Sequence, residues 1–242
     1  MSHFSDEFYR LTNLIENSQR LVFARYSGGE GLIMKKIPYV SFENVQIDKW
    51  AYHGGDCKLR DDMYAALRHV EHPEWIYGIP CSCCNDTLKH ELIEWIGPGI
   101  SADRLTYVNM WVNTNYPLFR QWIHDIKEPI VVIGNGVRAN PTSLPFNVHE
   151  YVPIAEDCIN WWESNRDNAK EFYNALGTKY NNTLFFVAAG PMSEPIIDFM
   201  WQGNPNNRYI DVGSALDEFL YGSKTRPYQD PATWLGARTC VF

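Results

Sequence analysis

Apolar segments that run into a glycine or proline turn alternate with helix-like segments along the chain, and this alternation constrains the fold more than any other feature. Six segments have the composition of strands: 20–26, 74–80, 104–112, 128–136, 182–192 and 207–219. Six others carry apolar residues in a helical pattern: 5–18, 56–70, 87–97, 117–126, 155–177 and 193–203. This order predicts βαβ units and therefore an α/β fold with a mostly parallel sheet flanked by helices.

The domain organisation is expected to be simple. The chain has no internal repeat, low-complexity tract or linker, so we expect one domain over residues 1–242. Pro117 is expected to begin a helix, and Gly97 and Gly177 to end two others. The tail from Lys224 onward is expected to be irregular.

Charge and hydropathy exclude two classes of partner. The formal net charge is -8 and no run of Lys or Arg occurs, whereas a nucleic acid or an anionic membrane surface requires clustered cations. The first ten residues are polar, and no apolar stretch approaches the roughly 20 residues that span a bilayer. We therefore expect no nucleic-acid partner, no membrane span, and a soluble, cytoplasmic protein.

Aromatic residues are abundant, with nine tryptophans and fourteen tyrosines. Flat amphipathic rings stack on sugars and bases at low entropic cost, so some of them are expected to line a groove. The alternative is that all of them belong to the core, and the sequence leaves both interpretations open.

The six cysteines include a C-x-C-C cluster at Cys81, Cys83 and Cys84. A structural zinc site usually has two ligand pairs at C-x2-C-like spacing, which this cluster lacks. We expect reduced, mostly buried thiols, with zinc as the alternative. Residues 81–86 are interpreted as a tight, partly buried turn close to the site, without chemistry of its own.

Several strand-end turns should meet at one edge of a parallel sheet, where such folds bind ligands. These turns are 25–31, 78–86, 132–136, 188–195 and 211–217. The turn at 188–195 is the best phosphate cradle, because Gly190 permits the bend and the Ser193 hydroxyl can cap the next helix and reach an oxygen. The alternative is an ordinary strand-to-helix turn.

Three common enzyme signatures are missing from the sequence. It contains no G-x-x-x-x-G-K-[ST] and no G-x-G-x-x-G opening a helix, which disfavours a P-loop enzyme and a Rossmann dehydrogenase. It also contains no G-x-S-x-G, which disfavours an α/β-hydrolase.

Residues 25–30, Arg-Tyr-Ser-Gly-Gly-Glu, resemble the R-F-G-D-G-E motif of the GT-D-type glycosyltransferases. Further stretches follow in that family's order: 78–80 (GIP), 112–119 (VNTNYPLF), 131–135 (VVIGN), 188–192 (AAGPM) and 209–219, which is similar to I-D-x-G-x-x-D. The resemblance implies a Rossmann-like, GT-D-like single domain. It also implies transfer of a sugar from a nucleoside-diphosphate donor, expected to be UDP, to a hydroxyl group of a glycan acceptor.

The resemblance also implies roles for particular residues. Those expected to face the donor sugar and diphosphate are Arg25, Ser27, Gly28, Gly29 and Glu30. Those expected near the nucleotide or at the same crevice are Gly190, Pro191, Asp211 and Gly213.

One departure from the family motif concerns the metal. The motif has an aspartate where this chain has Gly28, so only Glu30 remains of a D-x-E pair. A divalent ion prefers several oxygen ligands. We therefore expect no required cofactor, with backbone N–H groups and Arg25 meeting the diphosphate charge. The alternative is Mn²⁺ or Mg²⁺ held with the help of Asp56 or Asp211.

Glu30 is the first choice for a general base that takes the proton of the acceptor hydroxyl in an inverting displacement. Asp56 is the second choice and His53 the third. The alternative for Glu30 is a turn acid that caps backbone N–H groups.

The strand end at 112–116 offers further polar groups. Asn113 and Asn115 are candidates for hydrogen bonds to ribose, base or sugar, and Tyr116 for stacking or phosphate contact. A polar turn with a core tyrosine is the alternative.

Two other classes of function stay open. The first is a non-catalytic module that binds a nucleotide sugar or carbohydrate after losing the motif aspartate. The second is a different nucleotide enzyme on a similar sheet, because a fold does not fix a function.

Overall fold

The computed structural model describes residues 3–39 and 50–242, and it places seven strands in one sheet in the order β3-β2-β1-β7-β6-β4-β5. The strands are β1 (Leu21–Arg25), β2 (Trp75–Ile79), β3 (Leu105–Tyr107), β4 (Ile130–Asn135), β5 (Val148–Ile154), β6 (Leu184–Val187) and β7 (Arg208–Asp211). Every neighbouring pair is parallel. The predicted α/β class is confirmed.

Helices cover both faces of the sheet. On one face lie α2 (Gly28–Met34), α3 (Lys58–Ala66), α4 (Ser82–Ile96), α6 (Cys158–Lys179) and α7 (Ser193–Gly203). On the other lie α1 (Phe4–Asn17), α5 (Tyr116–Asp125) and α8 (Asp217–Tyr221). Successive strand residues serve opposite cores, since Ala24 packs in the first and Phe23 in the second. Burial on both faces explains why β1, β2, β4 and β6 are almost entirely apolar, whereas β7 begins with Arg208 and ends with Asp211.

Two strands differ from the sequence prediction. The predicted strand 104–112 shrinks to β3, and the residues after Tyr107 form turns that bury Met110 and Trp111. The edge strand β5 was not predicted, because only Val152 of its seven residues is buried and Pro153 lies within it. An edge strand with one side in solvent lacks the apolar run that marks its central neighbours.

The ends of the chain's helices mostly follow the predicted signals. Pro117 lies in the first turn of α5, and Gly97 caps the C-terminus of α4. The tail beyond Lys224 is irregular apart from a short 3-10 turn at Pro227–Gln229, as expected. No helix in the described part of the chain has both the length and the apolar character needed to cross a membrane.

Gly177 does not end its helix, contrary to the prediction, because α6 continues to Lys179. A Cβ atom at Gly177 would lie 2.3 Å from the carbonyl oxygen of Met200, and one at Gly203 would lie 2.1 Å from that of Asn174. The two glycines therefore mark the place where α6 and α7 cross with their backbones in contact. The glycine is there for packing and not for a cap.

We expect Gly177→Ala to lower the free energy of unfolding by about 1–3 kcal/mol, because the added methyl group overpacks the crossing. The loss should appear although alanine is the better helix former by about 1 kcal/mol. Gly28→Ala is the matched control, since a Cβ there meets no atom within 4 Å. Urea unfolding measures both variants, and equal stability of the two would contradict the close crossing.

Candidate active site

A cavity of about 700 Å³ opens at the carboxyl ends of the strands. Its wall includes residues at or just beyond five strand ends: Arg25 (β1), Asn135 (β4), Ile154 (β5), Ala188 (β6) and Gly213 (β7). The chain leaves β1 toward β2 on one side, whereas the strand on its other side, β7, comes last in the chain. Such a switch point is where doubly wound sheets bind ligands, and the volume is typical of small-molecule sites.

The two turns expected to carry the site meet at this cavity. The residues of the first motif on its wall are Arg25, Ser27, Gly28, Gly29 and Glu30. Gly190 and Pro191, from the turn after β6, line the same cavity. Asp211 lies directly behind the wall, where it binds Arg25. Segments about 160 residues apart in sequence therefore form one concave surface.

Other candidate residues use their side chains elsewhere. The Asn113 amide donates to Cys240 Sγ at 3.4 Å. The Asn115 amide donates to the carbonyl oxygens of Phe4 and Met110, both at 3.2 Å, and Tyr116 donates to Glu218 at 2.8 Å. These three residues are buried and hold the turn before α5, the alternative given above for this stretch.

The remaining candidates also lie off the cavity wall. The Ser193 hydroxyl is buried and accepts the backbone N–H of Ala189 at 3.1 Å, so it braces the turn beside Gly190. Asp56 is exposed and pairs with Lys36 at 2.6 Å and Arg60 at 3.5 Å. His53 is exposed as well.

Arg25 and Asp211 form a buried ion pair at the floor of the cavity. Arg25 Nε and Nη2 donate to the two carboxylate oxygens of Asp211 at 3.1 and 3.3 Å, and Nη1 donates to the carbonyl oxygen of Val108 at 3.0 Å. Burial alone would lower the pKa of Arg25, but the pairing with Asp211 outweighs it and raises that pKa. The guanidinium therefore stays charged beside the cavity.

The Arg25–Asp211 ion pair requires a glycine at position 213. Its φ is +49°, and a Cβ at this position would lie 1.9 Å from Arg25 Nη2. Its N–H donates to Asp211 at 2.8 Å. The family-like stretch after β7 thus positions the arginine at the end of β1.

Glu30 lies in the first turn of α2 and lines the cavity with a largely buried side chain. Its Oε2 accepts hydrogen bonds from the Ser27 N–H, at 2.9 Å, and from the Ser27 hydroxyl. Burial raises the pKa of Glu30 above its ordinary value, the charge of Asp211 adds to this, and the hydrogen bonds from Ser27 oppose it. The carboxyl group combines a helix-capping contact with the raised pKa that suits a general base.

Glu194, at the start of α7, lies in the predicted turn 188–195 but was not named there as a candidate residue. It is fully buried, and neither carboxyl oxygen has a hydrogen-bond partner among the described residues. Burial raises its pKa well above the ordinary value, and the charges of Glu30 and Asp211 raise it further. The available signal was an acid directly before the apolar run Pro195–Ile197 of this helix.

We expect Glu194→Gln to raise the free energy of unfolding at pH 8 by roughly 1–3 kcal/mol, because glutamine does not ionise and so lacks the free-energy cost that burial imposes on a carboxyl group above its unfolded pKa. The folded pKa lies above the unfolded one, so Glu194 destabilises the fold once the pH rises past about 4.3, and increasingly up to the folded pKa. The gain should therefore shrink toward zero at pH 4. Urea unfolding at both pH values measures it, and a loss of stability at pH 8 would contradict the account.

Aromatic and tail residues complete the wall and were also not predicted individually. Trp50 stacks against Tyr39 with ring centroids 4.7 Å apart. A Cβ at Gly29 would lie 3.2 Å from the Trp50 ring, and one at Gly190 3.9 Å from its Nε1. Trp50 therefore lies between the two glycine turns, where it lines the cavity and also belongs to the buried core. The tail contributes Thr225, Arg226 and Tyr228.

The two acids that the motif-like stretches bring to this region, Glu30 and Asp211, each have other hydrogen-bond partners. Glu30 bonds Ser27, and Asp211 bonds Arg25 and Gly213. Within residues 3–39 and 50–242, no group of three or more ligand atoms lying within 4.8 Å of one another includes either acid. Mn²⁺ and Mg²⁺ prefer several oxygen ligands, which this arrangement does not gather.

The cysteine prediction is wrong in part. All six cysteines are free thiols, but Cys83 and Cys84 are exposed. They are exposed because 81–84 enters the first turn of α4 and is not a closed turn. Asn85, which has a non-helical backbone and interrupts α4, lines the cavity, so the stretch does lie close to the site.

The doubly wound parallel sheet, with its cavity at the strand ends, defines a Rossmann-like α/β domain. Two solved structures share this fold, one described as domain of unknown function 1792 and one described as that domain with a distinct glycosyltransferase fold. Their TM-scores are 0.56 and 0.55, each at 12% identity over 89% of this chain and 81% of the other. No protein-family model and no curated protein matches the sequence.

Proposed function

We propose that the protein is a glycosyltransferase that moves a sugar from a nucleoside diphosphate, UDP in the first instance, to a hydroxyl group of a glycan acceptor. The observation that carries the proposal is the single cavity shared by Arg25, Glu30 and the Gly190 turn. The fold neighbour described as having a glycosyltransferase fold supports the reaction class. The GT-D-like order of sequence motifs supports the donor class.

The donor side of the cavity has suitable groups. Arg25 uses three of its five N–H donors on Asp211 and Val108, which leaves two that no described residue takes up. A guanidinium is well suited to phosphate oxygens. Trp50 offers a flat ring on which a base or a sugar can stack. The diphosphate is therefore proposed to lie against Arg25, between the turns at Gly29 and Gly190.

Glu30 is the proposed base. Its carboxylate takes the proton of the acceptor hydroxyl while that oxygen bonds to the anomeric carbon. The diphosphate leaves with the electron pair of the bond it held to that carbon. One displacement of this kind inverts the anomeric centre. The raised pKa of Glu30 brings it closer to neutral pH, where a carboxylate base is more effective.

We expect turnover without a divalent ion. In buffer passed over a chelating resin, added Mn²⁺ or Mg²⁺ should change the rate of nucleotide release by less than about twofold, because the carboxylates here do not gather a ligand set. The resin treats only the buffer, so ions already held by the protein are not removed. A strict requirement for either ion would contradict metal independence.

A non-catalytic nucleotide-sugar or carbohydrate-binding module is the second candidate function. It is favoured by one observation, the hydrogen bonds through which Glu30 caps its own helix. A carboxylate retained only as a cap would leave the cavity able to bind but unable to catalyse. Such a protein would be stabilised by the nucleotide without turning over its sugar conjugate.

A thermal-shift screen of nucleoside diphosphates and nucleotide sugars, followed by an assay of nucleotide release, separates the two functions. Stabilisation together with release supports the transferase, and stabilisation without release under any acceptor condition supports the binding module. The absence of stabilisation by every nucleotide and nucleotide sugar would contradict the transferase and the nucleotide-sugar-binding module, and would leave only a module that binds carbohydrate.

A further inference from the structure

Four cysteines from two distant parts of the chain come together beside α4. The sulfurs of Cys81, Cys83, Cys84 and Cys240 all lie within 4.8 Å of one another. The separations are 3.1 Å for Cys81–Cys83, 4.0 Å for Cys83–Cys84 and 4.0 Å for Cys84–Cys240. Cys240 is 156 residues from Cys84 in the sequence. The C-x-C-C cluster by itself therefore supplies only three of the four ligands of a tetrahedral zinc site.

We propose that these four cysteines bind one zinc ion as a tetrathiolate. Tetrahedral zinc with Zn–S bonds of about 2.3 Å has sulfurs about 3.8 Å apart, close to two of the three separations above. The pair at 3.1 Å must open by less than about 1 Å, and exposed Cys83 can make that movement. Soft thiolates in such a tetrahedral set select zinc over the cations that oxygen ligands bind.

Three of the four sulfurs accept a hydrogen bond from an N–H group. The Val241 N–H donates to Cys83 Sγ, the Asn109 amide to Cys84 Sγ and the Asn113 amide to Cys240 Sγ, each at 3.4 Å. N–H groups directed at ligand atoms orient them and stabilise their charge. Arg238, which donates to the carbonyl oxygen of Cys83, adds a positive charge beside a centre that carries two net negative charges.

This site would fix the end of the tail that walls the cavity. Arg226 and Tyr228 line the cavity, and Gln229 ties the tail to the body by donating to the Ser214 carbonyl oxygen at 2.8 Å. Near Cys240 the tail is held by hydrogen bonds such as the one from Arg238 to the Cys83 carbonyl oxygen, and zinc would add metal–sulfur bonds to them. The inference does not depend on the proposed transferase activity, because it rests on the sulfur geometry alone.

Metal analysis of the full chain, purified without added chelator, tests the proposal. We expect about one zinc ion per chain. Replacement of the zinc by Co²⁺ should give the visible absorption of tetrahedral cobalt with thiolate charge transfer. Cys240→Ser should lose the metal, whereas the matched control Cys57→Ser, outside the cluster, should keep it. If Cys240→Ser does not fold, exposed Cys83→Ser takes its place.

A thiol count separates zinc from the disulfide alternative. The denatured chain, without reductant and with chelator present, should show six reactive thiols if zinc held the cluster. A count of four or two means disulfides and would overturn the proposal. Absence of zinc together with no cobalt spectrum would also overturn it, as would iron in the zinc-free protein.

Discussion

Replacement of Glu30 by glutamine should lower the rate of nucleotide release from a nucleotide sugar by about 10²–10⁴-fold, the range that a positioned general base contributes. Glutamine keeps an oxygen that can accept the Ser27 N–H, so the start of α2 should survive. Thermal stabilisation by the nucleoside diphosphate should therefore be retained within about a few degrees of the wild-type shift. Loss of turnover with retained binding is the signature of a missing base.

A matched control lies on the same cavity wall. Glu156 pairs with Arg138, and Glu156→Gln changes the cavity charge by the same amount without touching the proposed base. We expect it to lower the rate by less than about tenfold.

In the wild type, the rate should fall as the pH drops through the raised pKa of Glu30, where the carboxylate takes up a proton. Unchanged turnover in Glu30→Gln would reject Glu30 as the base.

Arg25→Met should lower the free energy of unfolding by about 3–5 kcal/mol, because it leaves the carboxylate of Asp211 buried and unpaired. The double variant Arg25→Met/Asp211→Asn should recover at least about half of that loss, because no buried charge remains. Asparagine also keeps an oxygen for the Gly213 N–H. Urea unfolding of the two variants measures the recovery.

Nucleotide binding then separates the two roles of Arg25. If the only role of Arg25 is to neutralise Asp211, the folded double variant should bind a nucleoside diphosphate as tightly as the wild type does. If Arg25 also faces the diphosphate, as proposed, affinity in the double variant should stay about tenfold or more below wild type. Wild-type affinity in a stable double variant would contradict the donor contact.

The fold could be predicted largely from the sequence, because the central strands are buried on both faces and end at glycine turns. The predictions that failed concern features that depend on tertiary contacts. Gly177 has the sequence signature of a helix end, yet its role is set by the backbone of Met200 in another helix. The edge strand β5 has only one buried residue, so no apolar period marks it.

The cavity wall was predictable where a local motif marked it. Glycines at strand ends mark both the stretch around Glu30 and the turn at Gly190 in the sequence. Trp50 and the tail at Tyr228 carry no local signal, because only the closed fold brings them to the cavity. Asn113 shows the opposite case: the sequence left open whether this polar residue contacts a ligand or belongs to a turn, and in the fold its amide bonds Cys240.

A crystal structure with the nucleotide sugar that gives the largest thermal shift tests the central claim most directly. The account predicts the diphosphate within hydrogen-bond distance of Arg25, the nucleotide beside the Gly190 turn, and the Glu30 carboxylate facing the anomeric carbon from the side opposite the diphosphate. A nucleotide sugar bound outside this cavity, or bound inside it with Glu30 turned away from the sugar, would contradict the account.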